Sequence, residues 1–458
     1  MPPAEDTLLT ERMNRLLTAP AFPQENFILG RITYQALFDL AYGLKGALDA
    51  DSDPGRPVCL YTEEKALTAA AMLVAAAEGT PPILLPYALT PGVLREIQAA
   101  TGACRVITDR PDDLPARMHA VTFAPAGFPE TGLPPAPVDK IMVRLFTGGS
   151  TGNPQVWPKT VGNLFGEAFF MAGRFAVAPQ DCFVATTVPY HIYGLLFAVL
   201  VPLVASAGLV PGVSAYPHDI ADALDHHKAT VFAGVPMHYR VLRSVALSAG
   251  NLRLALSSAG RLDPGDAADF FQRIGVGVTE IYGSTETGGG ALRERAAGAS
   301  VLIALASVGT NIVGERLYVR SPYLSPNLDK DAEGFFLTGD RVREASGGGF
   351  VLLGRADGIV KVGGKRVDLE GVQACLHDLP GIKDALVLAL PAGRARENEI
   401  VAVVEGDLAV AAIRQSLADK VAPYALPRRI LIADKIPMSA AGKYDRRAAA
   451  ALFSERME

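Results

Sequence analysis

The sequence is poor in the features that mark several common classes of protein. Its four cysteines are isolated, without a C-x-x-C pair, and its seven histidines show no metal-ligand spacing. The formal net charge of −5 provides no basic surface field for a nucleic acid. Isolated cysteines of this kind predict reduced, mostly buried thiols. We therefore expect a cytoplasmic protein without a nucleic-acid partner.

Long uncharged runs are also scarce, and the most prominent one is interrupted. No charged residue occurs from Ile192 to Pro217. A membrane-spanning helix needs about 20 apolar residues, but Pro202, Gly208 and Pro211 interrupt this run and basic flanks are missing. The pattern favours a helix and a strand buried inside a large α/β core, with no stable membrane span.

The chain does contain many short apolar strands that alternate with helices. This alternation predicts βαβ units and parallel sheets covered on both faces. We expect an α/β fold: a large N-terminal α/β domain (1–354) with mostly parallel sheets, and a small, mobile α+β C-terminal domain (355–458). Predicted strands include Val58–Tyr61, Ile83–Leu85, Arg105–Thr108, Phe183–Thr187, Leu209–Val213, Val231–Gly234 and Leu254–Ser257, and predicted helices include 5–18, Tyr34–Leu48 and Glu63–Glu78.

The segment Leu145–Lys159 has the composition of a phosphate-binding loop. An apolar strand, Ile141–Phe146, leads into it. Glycines allow a tight turn and close approach to a ligand, and N–H and hydroxyl groups converge on an anion. It is not a Walker loop, because the Lys-Ser/Thr pair after the second glycine is missing. A flexible hairpin is the alternative for such a cluster alone. The residues concerned are Thr147, Gly148, Gly149, Ser150, Thr151 and Gly152.

Four further motifs follow the loop in order. Together the five segments resemble the adenylate-forming superfamily of acyl-CoA synthetases and AMP-dependent ligases, and they are most similar to smaller aryl/acyl ligases such as the AMP-ligases of aryl-polyene pathways. The resemblance covers the chain from about residue 140 to the C-terminus. The further motifs are Pro189–Gly194, Tyr282–Glu286, Thr338–Asp340 continuing into Gly354–Asp357 and on to Glu370, and Ile436–Lys443.

The resemblance implies a nucleotide site. Tyr282 would stack on adenine, Thr285 would touch the α-phosphate, and Glu286 would ligate Mg²⁺, which prefers carboxylate and phosphate oxygens. Asp340 would accept the ribose hydroxyls beside Arg355. The family usually has lysine directly after the loop proline; here that position is Gln155, and Lys159 would supply the charge instead. Gly260, Gly283 and Ser284 complete the expected nucleotide-binding set.

The resemblance also implies an acyl pocket and a thiol passage. His191 would lie against the bound carboxylate or adenylate, and Lys443 would bridge that carboxylate and the α-phosphate. Asp357 would be the hinge of the small domain, and a pantetheine arm would pass Gly363 and Gly364. Taken singly, each of these residues has an ordinary structural explanation. The expected acyl-pocket residues are Tyr190, Tyr193, Gly194, Val235, Met237 and Ala259.

Together these motifs predict an ATP-dependent acid–thiol ligase. It would activate an aryl or short-to-medium acyl carboxylic acid as an acyl-adenylate and then form a thioester. Its cofactors would be ATP and Mg²⁺, with coenzyme A or a phosphopantetheinyl carrier protein as the acceptor. Two alternatives stay open: a stand-alone adenylating enzyme that loads only a carrier protein, and a catalytically degenerate nucleotide-binding protein.

Overall fold

The computed structural model describes most of the chain, in ten stretches. These are residues 3–50, 55–147, 154–212, 216–295, 300–356, 358–362, 365–391, 398–418, 420–439 and 442–453. The contacts divide the chain into two compact units. The first unit is Met1–Ser300, Ala304–Gly309 and Arg320–Phe335; the second is Val301–Ile303, Thr310–Val319 and Phe336–Glu458.

The α-helices of the described residues are distributed along the whole chain. They are α1 (Pro3–Thr18), α2 (Tyr34–Asp49), α3 (Lys65–Ala75), α4 (Pro91–Thr101), α5 (Val161–Arg174), α6 (Ile192–Leu195), α7 (Val201–Ala205), α8 (Pro217–His226), α9 (Pro236–Leu242), α10 (Pro264–Ile274), α11 (Leu369–His377), α12 (Val410–Ala418) and α13 (Arg446–Ala451). A π-helical segment, Leu196–Leu200, joins α6 to α7, and short 3₁₀ turns occur at Pro111–Asp113 and Pro423–Ala425.

The strands are short, as their alternation with helices predicts. They are β1 (Asn26–Ile28), β2 (Ile32–Thr33), β3 (Val58–Tyr61), β4 (Ile83–Leu85), β5 (Arg105–Thr108), β6 (His119–Ala120), β7 (Ile141–Thr147), β8 (Gln155–Thr160), β9 (Cys182–Ala185), β10 (Gly208–Leu209), β11 (Val231–Gly234), β12 (Leu254–Ser257), β13 (Val278–Ser284), β14 (Gly288–Glu294), β15 (Ile303–Ala304), β16 (Gly309–Val313), β17 (Arg316–Arg320), β18 (Phe336–Glu344), β19 (Phe350–Arg355), β20 (Ile359–Val362), β21 (Lys365–Asp368), β22 (Ile382–Pro391), β23 (Asn398–Gly406) and β24 (Arg429–Ile432).

Two sheets organise the first unit. In one, the order runs β6-β5-β3-β4-β7-β8, parallel up to β7 and closed by the antiparallel hairpin of β7 with β8. In the other, β13, β12, β11, β9 and β10 are parallel neighbours, and β14 pairs antiparallel with β13. In a parallel sheet the carboxyl ends of the strands share one edge, and the loops that leave that edge commonly carry the ligand site.

Helix caps and apolar faces explain why these elements form. The side chain of Thr160 accepts from the backbone N–H of Asn163, whose side chain accepts in return from the Thr160 N–H, so a capping box begins α5. The Asp263 side chain caps α10 by accepting from the N–H groups of Gly265 and Asp266, and Gly275 in the left-handed conformation ends the helix. The apolar faces of α8, α9 and α10 pack with β11 and β12 around the fully buried Phe232.

The second unit has its own sheets and core. Strands β16 to β19 form one sheet in which β17, β18 and β19 are antiparallel neighbours, β20 pairs with β21, and β22, β23 and β24 form a mixed sheet with α11, α12 and α13 nearby. The longest continuous part of this unit begins at Phe336. The predicted boundary at 354 concerns a hinge, which is a property of motion and not of compactness, so it stays a prediction.

The predicted α/β fold class is confirmed, and most predicted elements are present with small shifts at their ends. Val58–Tyr61, Arg105–Thr108 and Leu254–Ser257 are strands as predicted, whereas the helix predicted from Glu63 begins at Lys65. The uncharged run forms a helical segment and then strand β10, and its residues are largely buried. Within the described residues, no helix is long and apolar enough to cross a membrane.

Candidate active site

The phosphate loop connects the two strands of the β7–β8 hairpin. Thr147 at the end of β7 pairs with Gln155 at the start of β8. The Thr147 hydroxyl accepts a hydrogen bond from the indole N–H of Trp157 at 3.1 Å. Predicted phosphate contacts of the glycines and hydroxyls stay predictions, because these residues lie outside the described ones: Gly148, Gly149, Ser150, Thr151 and Gly152.

Lys159, also expected at the nucleotide, lies on β8 with its side chain buried. Its exposed fraction is 1%. The ammonium donates to the backbone carbonyl of Tyr323 at 2.8 Å and to that of Glu286 at 3.2 Å. Burial lowers the pKa of Lys159 to about 8, against the opposing effect of the Glu167 and Glu286 carboxylates. The described partners of the ammonium are thus two backbone carbonyl groups. The predicted contact of Lys159 with a phosphate stays a prediction.

The predicted motif Tyr282–Glu286 lies at the end of β13 and in the turn that joins β13 to β14. We call β13, the turn and β14 together the signature hairpin, and the turn itself the signature turn. The hydroxyls of Ser284 and Thr287 lie 2.8 Å apart, and each accepts from the backbone N–H of the other residue. This reciprocal bonding closes the turn around Thr285 and Glu286. Tyr282, Ser284, Thr285 and Glu286 are half-buried, and Gly283 is exposed. Among the described residues, no hydrogen bond or ion pair engages the Glu286 carboxylate, so that group is available to a ligand.

The carboxyl edge of the parallel sheet brings several predicted residues together. Tyr190 and His191 follow β9, Val235 and Met237 follow β11, and Ala259 and Gly260 follow β12. The Ser258 hydroxyl donates to the Ile281 carbonyl at 2.8 Å and so ties the loop after β12 to β13. The predicted acyl-pocket residues and the signature turn therefore share one edge of one sheet.

The motif Pro189–Gly194, which contains two tyrosines and His191, is well packed. Tyr190 is buried, its ring lies 4.8 Å from the His191 ring, and burial raises the pKa of Tyr190 to about 12. A Cβ at Gly194 would lie 1.9 Å from the Val188 carbonyl oxygen, so only glycine fits at the start of α6. Tyr193 is also buried, with its ring 5.3 Å from that of Phe197. The segment is thus closely packed beside the carboxyl edge.

A cavity of about 370 Å³ opens at the same edge, beside β9 and β10. Its lining includes Thr186, Gly212, Asp219 and His226. Beneath it, the buried ammonium of Lys65 donates to the carbonyls of Ala185 and Gly212 at 2.9 and 3.1 Å. The predicted acyl-pocket residues do not line this cavity.

The second unit carries the expected ribose and catalytic residues. Asp340 on β18 is the register partner of Arg355 on β19, and the guanidinium lies 3.5 Å from the carboxylate. Lys443 is exposed, and its backbone carbonyl accepts from the Ser439 N–H at 2.7 Å. Asp357, Gly363 and Gly364 lie outside the described residues, so their hinge and passage roles stay predictions.

Sequence reasoning missed three buried polar residues of the first unit. Glu167 and Asn163 on α5 contact the signature hairpin and a neighbouring segment; their signal was the polar positions in an otherwise apolar helix face. His238 on α9 accepts at Nδ1 from the Val235 N–H at 3.2 Å and lies 2.7 Å from the Thr186 hydroxyl. Burial lowers the pKa of His238 to about 4, so the ring is neutral at physiological pH.

The donor set fits Mg²⁺ held with a nucleotide better than it fits an all-protein metal site. The described residues include no group of three or more Asp, Glu, His or Cys side chains that could hold a metal ion. Mg²⁺ is usually bound through one or two carboxylates together with phosphate oxygens and water. Glu286 would supply the carboxylate, and the phosphates of a bound nucleotide would supply further oxygens.

Comparisons with known proteins agree with this geometry. The model of the AMP-binding enzyme family matches residues 11–334. The chain therefore belongs to the AMP-binding enzyme family, as the adenylate-forming resemblance predicted. Members of this family use ATP and Mg²⁺, with coenzyme A or phosphopantetheine as the thiol acceptor.

Curated relatives differ in the reactions that their names describe. A phenyloxazoline synthase of Mycobacterium sp. (strain MCS) is 27% identical over 93% of this chain and 40% of its own length. A malonate–CoA ligase of Arabidopsis thaliana is 26% identical over 66% of this chain and 59% of its own length. A sulfoacetate–CoA ligase of Cupriavidus necator is 26% identical over 69% of this chain and 67% of its own length. The chain thus spans less than two thirds of the first two relatives.

Solved structures show the same fold. The ATP-bound MatB protein of Rhodopseudomonas palustris matches with a TM-score of 0.84 and 21% identity, covering 98% of this chain and all of the other. The o-succinylbenzoate–CoA synthetase of Bacillus subtilis, solved with its acyl-adenylate intermediate, matches with a TM-score of 0.79 and 17% identity over 95% of this chain and 97% of its own. At these identities the likeness concerns the fold alone.

Proposed function

We propose that this chain activates a carboxylic acid with ATP and then transfers the acyl group to a thiol. The observation that carries the proposal is the unengaged Glu286 carboxylate, held on the signature turn at the same sheet edge as Tyr190 and His191. Membership in the AMP-binding enzyme family indicates a nucleotide substrate. The carboxyl edge of the sheet would bind the carboxylic acid. Function in the cytoplasm, without a nucleic-acid partner, is part of the proposal and rests on the cysteine pattern and net charge.

In the first half-reaction, an oxygen of the acid attacks the α-phosphorus of ATP and pyrophosphate leaves. Two anions approach each other in this step, so positioning and charge stabilisation limit its rate. Mg²⁺ bound to Glu286 would supply positive charge at the phosphates. Lys443 would bridge the carboxylate and the α-phosphate, Tyr282 would stack on adenine, and Asp340 with Arg355 would bind the ribose.

In the second half-reaction, a thiolate attacks the carbonyl carbon of the acyl-adenylate. The thiol loses its proton, the carbon–oxygen bond of the mixed anhydride breaks, and AMP leaves. Coenzyme A and a phosphopantetheinyl carrier protein present the same thiol, and we expect the pantetheine arm of either one to pass Gly363 and Gly364. We further propose that Asp357 is the hinge between a 1–354 domain and a 355–458 domain that serve the two half-reactions.

The substrate class that we propose is an aryl or short-to-medium acyl acid. Tyr190, Tyr193, Val235, Met237 and Ala259 combine aromatic and small apolar side chains in the predicted acyl pocket. The relatives include CoA ligases for two small acids, malonate and sulfoacetate, and a phenyloxazoline synthase. A stand-alone enzyme that loads only a carrier protein is the second candidate, favoured by the 93% coverage of this chain by that synthase.

The decisive experiment is exchange of labelled pyrophosphate into ATP with a panel of carboxylic acids and Mg²⁺. We expect exchange with at least one aryl or short-to-medium acid. Lys443→Ala should lower this exchange by about 10²–10³-fold, the effect of removing one donor that stabilises a transition state. Lys435→Ala is the matched control, because Lys435 is an exposed lysine of the same C-terminal segment.

Folded protein that binds ATP but exchanges with no acid would instead indicate a degenerate nucleotide-binding protein. Once an acid is known, thioester formation with free coenzyme A and with phosphopantetheinylated carriers should be compared. A strong preference for a carrier would select the stand-alone alternative.

A further inference from the structure

Two backbone segments of the first unit meet behind the signature turn. The Glu286 carbonyl accepts from the Ser325 N–H at 2.8 Å and also from the Lys159 ammonium at 3.2 Å. The same ammonium donates to the Tyr323 carbonyl at 2.8 Å. A carbonyl oxygen has two lone pairs, so the Glu286 carbonyl is fully engaged. Lys159 therefore fastens the peptide group of Glu286 to the segment around Tyr323.

Helix α5 supports the same turn from its buried face. Glu167 is 2% exposed, and its Oε1 accepts from the Gly289 N–H at 2.7 Å. A Cβ at Gly288 would lie 2.7 Å from Glu167 Oε2, so the carboxylate lies directly against the main chain of the turn. Asn163 donates from Nδ2 to the Pro322 carbonyl at 2.7 Å. Lys159, Glu167 and Asn163 thus hold the signature turn and the backbone segment around Tyr323.

These contacts end on main-chain groups and leave the Glu286 side chain to a ligand. Lys159 and Glu167 each bond backbone groups, and their opposite charges attract through space. Burial disfavours both charges, since it lowers the pKa of Lys159 and raises that of Glu167, to about 7. Apolar side chains would fill this space without that cost, but they could not fix the direction of the Glu286 and Gly289 peptide groups.

We propose that Lys159 and Glu167 are positioning residues, which hold the main chain of Glu286–Gly289 so that the Glu286 carboxylate meets Mg²⁺ on the bound nucleotide. This inference rests on the proposed function in its use of Mg²⁺ and ATP. It differs from the expectation that Lys159 touches a phosphate, and the two ideas predict different binding behaviour.

Three variants test the proposal: Lys159→Met, Glu167→Gln and the double variant. Partners that orient a metal ligand typically change metal affinity or activity by about 10–100-fold when they are replaced. We expect each variant to need roughly 10-fold or more additional Mg²⁺ for half-maximal pyrophosphate exchange. ATP affinity in the absence of metal should stay at the wild-type value. Because the two side chains act on one turn, their effects should not add. The double variant should need no more Mg²⁺ than the single variant with the higher Mg²⁺ requirement.

Lys140→Met is the matched control. Lys140 also donates to two carbonyls, those of Ala75 and Ala77, and burial lowers its pKa to about 8 as well. Lys140 directly precedes strand β7 and donates to no group of the signature turn, so its variant should keep the wild-type Mg²⁺ requirement. An equal change in this control would overturn the proposal, because the loss of any partly or fully buried lysine that bonds carbonyl groups would then produce the effect.

Calorimetry of ATP binding with and without Mg²⁺ separates this proposal from the proposed function. If the wild type exchanges with no acid, the function fails, and the calorimetric Mg²⁺ dependence still tests the positioning role. Loss of metal-free ATP binding in Lys159→Met, with a silent Glu167→Gln, would overturn it in favour of a phosphate contact. If Lys159→Met does not fold, Glu167→Gln and the charge-free double variant decide by the same measurements.

Discussion

The two ends of the signature hairpin are both held by buried charged groups, but in different ways. At the open end, the Glu280 carboxylate accepts from Arg293 at 2.6 and 3.0 Å, from Arg295, and from the Leu262 N–H at 3.1 Å. At the turn end, Lys159 and Glu167 bond the main chain of Glu286 and Gly289. At the open end a carboxylate bonds mainly the side chains of two arginines, whereas at the turn end the charged side chains bond only the backbone.

The difference separates stability from function within one hairpin. Two guanidinium groups keep their charge at any physiological pH, and they neutralise Glu280 within the protein. The turn end instead fixes a backbone and leaves one carboxylate, that of Glu286, without a described side-chain partner. We therefore expect substitutions at the open end to change the free energy of unfolding, and substitutions at the turn end to change nucleotide chemistry.

The largest expected effect is on stability at the open end. Glu280→Gln would leave two arginines without their buried counter-charge. Removing one partner of a buried ion pair typically costs about 3–5 kcal/mol in the free energy of unfolding. Urea denaturation measures this loss, and pyrophosphate exchange per folded molecule should be nearly unchanged. Wild-type stability in this variant would show that the arginines find solvent or other partners.

The next effect is on catalysis at the turn end. Glu286→Gln removes the charge that would bind Mg²⁺ but keeps the size of the side chain. We expect exchange to fall by about 10²–10³-fold, the scale for one lost electrostatic contribution to a transition state. The free energy of unfolding should fall only slightly, because no described hydrogen bond or ion pair depends on that carboxylate and only its through-space attraction to the Lys159 ammonium is lost. A stability loss as large as that of Glu280→Gln would erase the distinction between the two ends.

A smaller effect tests packing against the turn. Gly288 has φ +69°, and an added Cβ would lie 2.6 Å from Tyr323 Cβ and 2.7 Å from Glu167 Oε2. Gly288→Ala should therefore lower the free energy of unfolding by about 1–3 kcal/mol and raise the Mg²⁺ requirement. Gly46→Ala, in the interior of α2 with open space around it, should instead stabilise the protein by about 0.5–1 kcal/mol. Equal stabilities for the two variants would contradict the packing of Glu167 on the turn.

The sequence predicted several strands of the parallel sheets and the motif Tyr282–Glu286, but it predicted neither the β13–β14 hairpin nor the groups that hold it. Strands such as Val58–Tyr61 and Leu254–Ser257 depend on local apolar runs, which a sequence displays directly. Lys159 could be seen to stand near the phosphate loop, but its partners follow 127 and 164 positions later. Contacts at such separations depend on the packing of several elements, and no local pattern encodes them. Helix α4 (Pro91–Thr101) went unpredicted although Thr90 and Pro91 form a capping signal.

His238 is buried and uncharged, and it can be compared with the charged groups that hold the two ends of the signature hairpin. Its ring is buried beside Thr186 and Val235 at the same sheet edge, and its pKa is lowered to about 4 from the usual 6.5. Because the folded pKa is depressed, its contribution to stability is complete above pH 6.5 and is lost as the pH falls towards 4. Between pH 7 and 5 this amounts to about 2 kcal/mol in the free energy of unfolding. His238→Asn keeps an acceptor oxygen near the position of Nδ1 but does not titrate, so its stability should fall less over this range. Parallel pH profiles for the two proteins would mean that His238 is already charged in the fold, or that other groups dominate acid unfolding.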